Sequence, residues 1–516
     1  MFGTIAALYR LARAGFVMAR EGVFEGVEVD LTPPPAHVPL RLANMIARKA
    51  TAKKARADRL SAALERLGPS YIKLGQFLAT RPDLVGMSVA RDLEKLQDSL
   101  PSIPFEQARA RIAETLGQPV DQIFESLDPA LSAASIAQVH KAMVRDAETG
   151  DLKPVAVKVL RPGVDVRFAR DLSTFYIAAR LLETTTPKLR RLRPIAVVDT
   201  LAESMRLELD LRMEAAALAE MGENTRNDDG FRVPKVDWDR SAAQVMTIEW
   251  IDGRKLSDID GIKADGHDLE ALGALVMQSF LRHAMRDGFF HADMHPGNLF
   301  VEPDGTLVAV DLGITGRLGT AERRFLAEIL FGFISRNYKR TAEVHFEAGY
   351  VPAHHDVESF AQALRAIGEP IHGRNASQIS MGRLLTQLFE VTDLFDMRTQ
   401  PQLILLQKTM VVVEGVARTL NPNLDIWKTA DPVVSDWIRG NLSPVRQVQD
   451  VAQSVVTAGR LLSEAPDMML KLQRIANEFD PENPQGLDAK QRTGQWLWPA
   501  AFVLSAVVVA VAIVVR

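Results

Sequence analysis

The 516-residue chain carries 61 Lys and Arg against 65 Asp and Glu, a formal net charge of −4, so its overall charge gives no case for nucleic-acid binding. It contains no cysteine, which excludes disulfides, thiolate catalysis and thiolate-ligated metals. The length predicts two or three domains or lobes, and the plentiful Ala, Leu and Val favour helices.

Residues 1–40 are predicted to form an amphipathic helix followed by a linker. Three arginines interrupt the apolar run, which excludes a secretory signal peptide. The helix has two open alternatives: a basic amphipathic helix at a membrane surface, or a helix packed on the domain. The proline run at 33–35 cannot continue a helix and predicts the linker. The apolar side chains that share one face of the predicted helix are Phe2, Ile5, Tyr9, Ala12 and Phe16.

Residues 41–125 are predicted as a helical extension. Residues 41–66 carry eight Lys and Arg against two acidic residues, which is typical of a solvated face and would also suit anionic lipid headgroups. The stretch Lys73-Leu-Gly-Gln76 follows. From residue types alone, Lys73 would be an exposed lysine and Gly75 a close helix contact.

Residues 126–252 are predicted as a kinase-like N-lobe. Kinases place a Gly-rich loop between two strands, where the backbone approaches the nucleotide phosphates. Here the corresponding stretch is rich in Ala and Ser, and the added Cβ atoms predict a stiffer loop. The predicted nucleotide-binding residues of this stretch are Leu131, Ser132, Ala133, Ala134, Ser135, Ile136, Ala137, Gln138 and Val139.

Val155-Ala-Val-Lys158 matches the third-strand motif of kinases, in which the Lys pairs with the α- and β-phosphates and with a helix Glu. Residues 199–221 are predicted as one long helix that carries Glu208, Asp210 and Glu214. These acidic residues are candidate ion-pair partners for two lysines, Lys73 and Lys158.

Residues 245–253 predict a strand leading to a hinge. There the carbonyl of Glu249 and the amide of Ile251 would meet the adenine edge. The rest of the kinase-like part, residues 253–425, is predicted as the C-lobe. Helices are predicted over 268–287, after Asp311 to about Phe346, and over 403–420.

Three polar residues in the C-lobe have the order and spacing of the catalytic and metal-binding residues of protein kinases. Asp293 would orient the attacking group, and Asn298 and Asp311 would bind metal. Their oxygen atoms are the ligands that Mg²⁺ prefers. The stretch 307–310 predicts a strand, and Gly313 supplies the turn after it.

The C-terminal part is predicted as helices and a linker over 426–494, followed by a membrane anchor over 495–516. Trp496 to Val515 is an uncharged apolar run long enough to cross a bilayer. ATP chemistry would require the preceding residues to be cytoplasmic.

These motifs together resemble the UbiB/ADCK-type atypical kinases, over roughly residues 60–425. The resemblance implies an α+β, bilobal protein-kinase-like fold with a helical N-terminal extension, a helical C-terminal part and one C-terminal transmembrane helix. It implies ATP and Mg²⁺ as cofactors, with Lys158, Glu214 and Asp293 as catalytic residues. A regulatory helix over the cleft would pair Lys73 with Glu208, together with Gln76 and Asp210.

The same resemblance implies a role in ubiquinone biosynthesis at the bacterial inner membrane. The implied partners are membrane lipids, lipid-like quinone precursors and other proteins of that biosynthesis, with no nucleic acid.

The sequence speaks against an ordinary protein kinase. Ala292 stands where the usual Arg precedes the catalytic Asp, and no Ala-Pro-Glu motif follows Asp311. We expect an accessory enzyme that hydrolyses ATP. A small-molecule kinase of the aminoglycoside or choline type and a non-enzymatic, nucleotide-dependent lipid-binding scaffold stay open.

Overall fold

The computed structural model describes residues 2–25, 37–47, 55–79, 81–94, 96, 101–146, 149–185, 190, 193–370, 391, 394–397 and 401–441. Within them the fold is α+β with two lobes and helical additions, as predicted. The helices are α1 (Phe2–Arg20), α2 (His37–Ile46), α3 (Arg56–Leu67), α4 (Pro69–Ala79), α5 (Pro82–Val85), α6 (Met87–Glu94), α7 (Phe105–Leu116), α8 (Val120–Ile123), α9 (Val164–Thr185), α10 (Pro194–Glu208), α11 (Leu211–Asn224), α12 (Ile259–Ala264), α13 (Leu269–Arg282), α14 (Thr320–Ile334), α15 (Tyr338–Glu347), α16 (Val357–Gly368), α17 (Pro401–Leu420) and α18 (Ile426–Asn441). The strands are β1 (Ser126–Ala133), β2 (Ala137–Arg145), β3 (Leu152–Leu160), β4 (Phe231–Arg232), β5 (Val236–Ala242), β6 (Val245–Glu249), β7 (Arg254–Lys255), β8 (Phe289–His291), β9 (Leu299–Val301), β10 (Leu307–Ala309) and β11 (Thr315–Arg317).

The N-lobe is a five-stranded antiparallel sheet in the order β1-β2-β3-β6-β5. Side chains alternate between its two faces because successive residues of a strand point in opposite directions. Val155, Val157 and Val159 are buried on one face, against α7 and α8. Lys158 belongs to the other face, which looks toward the C-lobe.

The C-lobe combines two small sheets with a helical core. Strands β4, β10, β9 and β7 form one sheet in that order, and β8 pairs with β11. The predicted strand at 307–310 is present as β10. Helix α13 packs on α17 so closely that a Cβ added at Gly273 would lie 2.9 Å from the carbonyl oxygen of Ala417.

The helical extension packs through small residues, as expected for Gly75. A Cβ built there would lie 2.7 Å from Leu96 Cδ1 and 2.8 Å from Leu64 Cδ1. Helix α4 therefore packs closely between α3 and the end of α6, where Leu93 lies 3.4 Å from the same built Cβ.

The prediction of one helix over 199–221 was wrong. Helix α10 ends at Glu208 and α11 begins at Leu211. Asp210 separates them, because its side chain accepts the N–H of Arg212 and caps α11. Glu208 and Glu214 thus lie on different helices.

Two further helical predictions need correction. The helix expected over 268–287 is regular only to Arg282 and ends in a π-helical turn, His283–Asp287. The stretch from Asp311 to about Phe346, expected to be helical, first forms strand β11 and then two helices. The helix expected at 403–420 is present as α17.

Helix α1 buries Leu11 and Ala14, whereas Tyr9 and Phe16 of the predicted apolar face are 72% and 50% exposed. None of the helices in the described ranges is both long enough and apolar enough to cross a membrane. The linker at 31–35, the stretch 442–494 and the span from Trp496 to Val515 lie outside the described residues, so these remain predictions.

We expect Gly273→Ala to lower the free energy of unfolding by about 1–2 kcal/mol. Overpacking against the backbone of α17 costs ~1–3 kcal/mol, and the better helix propensity of Ala offsets part of it. Gly415→Ala is the matched control, because a Cβ at Gly415 meets open space. It should leave stability unchanged or raise it by up to ~1 kcal/mol. Urea denaturation measures both, and equal effects of the two changes would contradict the close α13–α17 contact.

Candidate active site

The two lobes meet at one lysine shared by two carboxylates. Lys158 Nζ on β3 donates to Glu214 Oε1 and Oε2 of α11 at 2.7 and 2.8 Å. It also lies 3.3 Å from Asp311 Oδ1, just after β10. Glu214 is 8% exposed and Asp311 is 49% exposed. The structure thus brings together three of the predicted site residues from two different lobes.

The charges in this cluster are unequal, since one ammonium faces two carboxylates. Burial raises the pKa of Glu214 to about 7, and Lys158 opposes that rise. Lys158 holds the pKa of Asp311 down at about 2. Burial alone would lower the pKa of Lys158, but Asp311 and Glu214 together outweigh it and raise that pKa. With all three groups ionised the cluster carries one surplus negative charge, which suits a cation.

Asp311 is held in an uncommon backbone conformation. Its φ is 60°, in the left-handed region that costs a non-glycine residue roughly 1 kcal/mol. Gly313 lies beside it: an added Cβ would be 3.2 Å from Asp311 Oδ1 and 4.0 Å from Glu214 Oε2. The absence of a side chain there keeps the space next to the two carboxylates open.

The catalytic loop is arranged by hydrogen bonds to its own backbone. The N–H of Asp293 donates to Nδ1 of the buried His291 at 3.2 Å. Asn298 Nδ2 donates to the carbonyl of Asp293 at 3.2 Å, and the N–H of Val310 donates to the carbonyl of Asn298 at 2.9 Å. Because its amide nitrogen is used in this way, Asn298 can offer Oδ1 to a cation beside Asp311. The Asp293 carboxylate is 45% exposed, with one oxygen 3.8 Å from His295 Nε2.

Helix α17 supports the same loop from the C-terminal side. Thr409 Oγ1 donates to the carbonyl of Ala292 at 3.1 Å, across 117 residues of chain. Sequence reasoning missed this contact, because nothing in the local pattern of α17 distinguishes Thr409 from a buried helical threonine.

The loop within the Ala-rich stretch 131–139 is shorter than predicted. Only residues 134–136 form the turn, since 131–133 end β1 and 137–139 begin β2. Arg161 fixes it from behind: its Nε and Nη2 donate to the carbonyl of Ala134 at 3.0 and 2.8 Å, and Nη2 also reaches the carbonyl of Pro101 at 3.0 Å. Arg161 was another residue that the sequence analysis missed.

The residues of this stretch divide between the two faces of the sheet. Val139 pairs directly with Lys158, and Lys158 pairs with Met246, so these side chains share the cleft face. Gln138 lies on the opposite face, where its Oε1 accepts the N–H of Ile103 and its Nε2 lies 2.7 Å from His140. Ser135 and Ala137 are buried. The cleft geometry therefore favours Val139 over Gln138 as a side-chain contact to a nucleotide.

The predicted hinge is reinforced by an arginine. Glu249 ends β6, and its carboxylate accepts Arg232 Nη1 at 3.0 Å. The same guanidinium donates to both carboxylate oxygens of Glu302 at 2.7 and 2.8 Å. Ile251 follows in the connection between the two lobes. The adenine contacts of Glu249 and Ile251 stay predictions.

Helix α4 is attached beside the cleft by a second lysine pair. Lys73 Nζ lies 2.8 Å from Glu208 Oε2, the pair that the resemblance implies, and both side chains are largely buried. Lys73 also contributes to the lowered pKa of Asp311, after larger effects of Lys158, which places its charge near the carboxylate cluster. Gln76 lies one turn further along α4 and is half-buried. Asp210 pairs with Arg212 and caps α11 rather than joining the lysines.

Comparison with known proteins gives consistent matches over most of the chain. Residues 95–345 match the ABC1 atypical kinase-like domain, and residues 364–425 match the UbiB helical domain. A protein named "Probable protein kinase UbiB" from Marinobacter nauticus is 38% identical over 421 residues, which cover 81% of this chain and 76% of that protein. The protein of the same name from Aeromonas salmonicida is 36% identical over 470 residues, 90% of this chain and 85% of that one. A solved structure, the complex of Rv3197 with erythromycin from Mycobacterium tuberculosis, is 25% identical, covers 74% of this chain and 97% of its own, and has a TM-score of 0.49.

The raised pKa of Glu214 predicts a specific pH dependence of stability in the nucleotide-free protein. The fold favours the protonated form, so this contribution is complete below an ordinary Glu pKa of 4.5 and is lost as pH rises through about 7. Glu214→Gln keeps the neutral shape without titrating. Between about pH 5 and pH 8, we expect the free energy of unfolding of the natural protein to fall relative to the variant by about 1–3 kcal/mol. Urea denaturation at both pH values checks this, and parallel curves for the two proteins would contradict it.

Proposed function

Because this chain belongs to the UbiB family of atypical kinases, we propose that it binds ATP with Mg²⁺ in the cleft between its lobes and hydrolyses the ATP in support of ubiquinone biosynthesis. The hydrolysis would be coupled to the handling of lipid-like quinone precursors. The observation that carries the proposal is the position of Lys158 between Glu214 and Asp311.

The residues present fit a hard divalent cation. Asp311 offers carboxylate oxygens and Asn298 an amide oxygen, and the surplus negative charge of the cluster favours a cation at this point. Held there by Asp311 and Asn298, Mg²⁺ would supply positive charge that neutralises the negative charge developing on the phosphates. Gly313 leaves the space that such an ion and its phosphate ligands need.

The chain's own residues then take distinct roles. Lys158, held by Glu214, would present its ammonium to the α- and β-phosphates from the cleft face of the sheet. Asp293 would orient the attacking water or hydroxyl, with its position fixed by His291 and Asn298. The turn at 134–136 would cover the phosphates while Arg161 holds it rigid.

The surroundings of the cleft favour a small acceptor over a polypeptide. The Lys73–Glu208 pair holds helix α4, and the charge of Lys73 acts on Asp311, so a helix near the carboxylate cluster would obstruct a bound polypeptide. Ala292 cannot pair with an activation-loop phosphate, and its carbonyl is already bound by Thr409. These features support ATP hydrolysis or transfer to a small molecule.

A membrane location belongs to the same proposal. The apolar run from Trp496 to Val515 is long enough to span a bilayer, and would anchor the catalytic part on the cytoplasmic side. Tyr9 and Phe16 are exposed on α1, as apolar residues of a helix at a membrane surface would be. The similar proteins named above are bacterial, which fits the cytoplasmic membrane.

Phosphate release from ATP by the full-length protein tests the proposal, with and without anionic vesicles and a phenolic mimic of a quinone precursor. Asp311→Asn and Asp293→Asn should each reduce turnover by about 100-fold or more, because the first removes a cation ligand and the second removes the group that orients the attacking water. Asp304→Asn is the matched control: Asp304 is exposed in the turn between β9 and β10 and accepts hydrogen bonds from the backbone and side chain of Thr306. It should leave turnover unchanged.

The same measurements separate the alternatives. Stoichiometric appearance of a phosphorylated phenol, with little free phosphate, would indicate a small-molecule kinase. Full support of quinone synthesis in cells by both the Asp311 and Asp293 variants would indicate a scaffold. Either outcome would overturn the proposed hydrolysis.

We expect Ala134→Gly to change the affinity for nucleotide by about fivefold, in the direction of tighter binding. Removing the Cβ frees positive φ, and the backbone of the 134–136 turn can then approach the phosphates more closely, an effect of roughly 1 kcal/mol. Titration with a fluorescent nucleotide measures this. Ala130→Gly, on β1 outside the turn, is the control. Identical affinity of natural protein and Ala134 variant would show that the turn does not restrain binding.

A further inference from the structure

A second cluster of ligand-type side chains lies away from the cleft, at the helical C-terminal side of the chain. His354 and His355 occupy the turn between α15 and α16, and Asp396 lies in the segment 394–397. One ligand atom from each of the three lies within 4.8 Å of the others. We propose that these residues form a site for a late first-row divalent cation such as Zn²⁺, with His354, His355 and Asp396 as protein ligands.

Two of the three distances between the ligand atoms, those from Asp396 to each histidine, are close to those of a tetrahedral centre. Bonds of 2.0–2.2 Å to histidine nitrogen and carboxylate oxygen place neighbouring tetrahedral ligands about 3.3–3.5 Å apart. Asp396 Oδ2 lies 3.2 Å from His355 Nε2 and 3.7 Å from His354 Nε2. Small side-chain rotations would therefore admit a metal ion without movement of the backbone.

The donor atoms select the class of metal. Two imidazole nitrogens and one carboxylate oxygen suit Zn²⁺, Ni²⁺ or Cu²⁺, whereas Mg²⁺ and Ca²⁺ prefer oxygen ligands throughout. The cluster thus differs in chemistry from the oxygen ligands beside Lys158. His354 and Asp396 are 67% and 68% exposed, which leaves room for water as the fourth ligand.

Buried aromatic packing holds the two parts of the site together. Phe395 is buried next to Asp396, and its ring centroid lies 5.3 Å from that of His355 and 4.9 Å from that of Phe360 on α16. The rings of His354 and His355 lie 4.1 Å apart. Asp396 is therefore fixed opposite the histidine turn although 41 residues separate it from His355. A bound ion would fasten the segment 394–397 to the start of α16.

The test is titration of the full-length protein with Zn²⁺ and Co²⁺ in excess Mg²⁺, so that oxygen-ligand sites are already filled. We expect one equivalent of Zn²⁺ to bind with a Kd in the micromolar range or below and to raise the thermal midpoint. Bound Co²⁺ should give the intense visible absorption of a four-coordinate ion. His354→Ala and Asp396→Asn should each weaken Zn²⁺ binding by about tenfold or more, since even loss of a residue that only orients a ligand costs 10–100-fold.

His267→Ala is the matched control, because His267 is a partly exposed histidine on the loop before α13. It should leave Zn²⁺ binding unchanged. His354 is 67% exposed, so its replacement should leave the fold unchanged. Equal thermal midpoints of the metal-free variants verify this. Absence of a Zn²⁺ equivalent in the natural protein, or equal affinity in the His354 and His267 variants, would overturn the site and leave an ordinary His–Asp hydrogen bond.

Discussion

The cleft depends on one buried lysine that has to satisfy two carboxylates. Lys158 reaches Glu214 from its own lobe and Asp311 from the other, so a single ammonium joins the sheet, helix α11 and the end of β10. Removing such a group would leave buried charge without a partner, which is among the costliest changes a fold can suffer. The same shortage of positive charge leaves the three ionised groups with one surplus negative charge. One lysine therefore determines both the stability of the cleft and its net charge.

The surrounding contacts preserve that arrangement at a distance. His291 and Asn298 fix the backbone around Asp293, and Thr409 supports the residue before it. Arg161 does the same for the 134–136 turn. Each of these groups bonds to main-chain atoms, so the positions of the functional side chains are set by rigid backbone rather than by their own contacts. Such support is what preorganised sites require.

The main site residues could be predicted from sequence because each lies in a short motif with a fixed order along the chain. Lys158 follows a Val-rich strand, and Asp293 and Asn298 keep the spacing of a catalytic loop. The supporting contacts could not be predicted, since the bond from Thr409 to Ala292 spans 117 residues and leaves no local pattern. The interruption at Asp210 was missed for another reason. The apolar periodicity runs through it, and only the capping preference of Asp marks the break.

The guanidinium of Arg232 has a consequence for how the molecule can move. It donates at once to Glu249, the last residue of β6 in the N-lobe sheet, and to Glu302 of the C-lobe. Arg232 itself belongs to the C-lobe sheet through β4, so its charge-assisted bond to Glu249 would have to break before the lobes could part at this corner. Motion of one lobe against the other would therefore turn about this corner, because the bond from Arg232 to Glu249 holds it together.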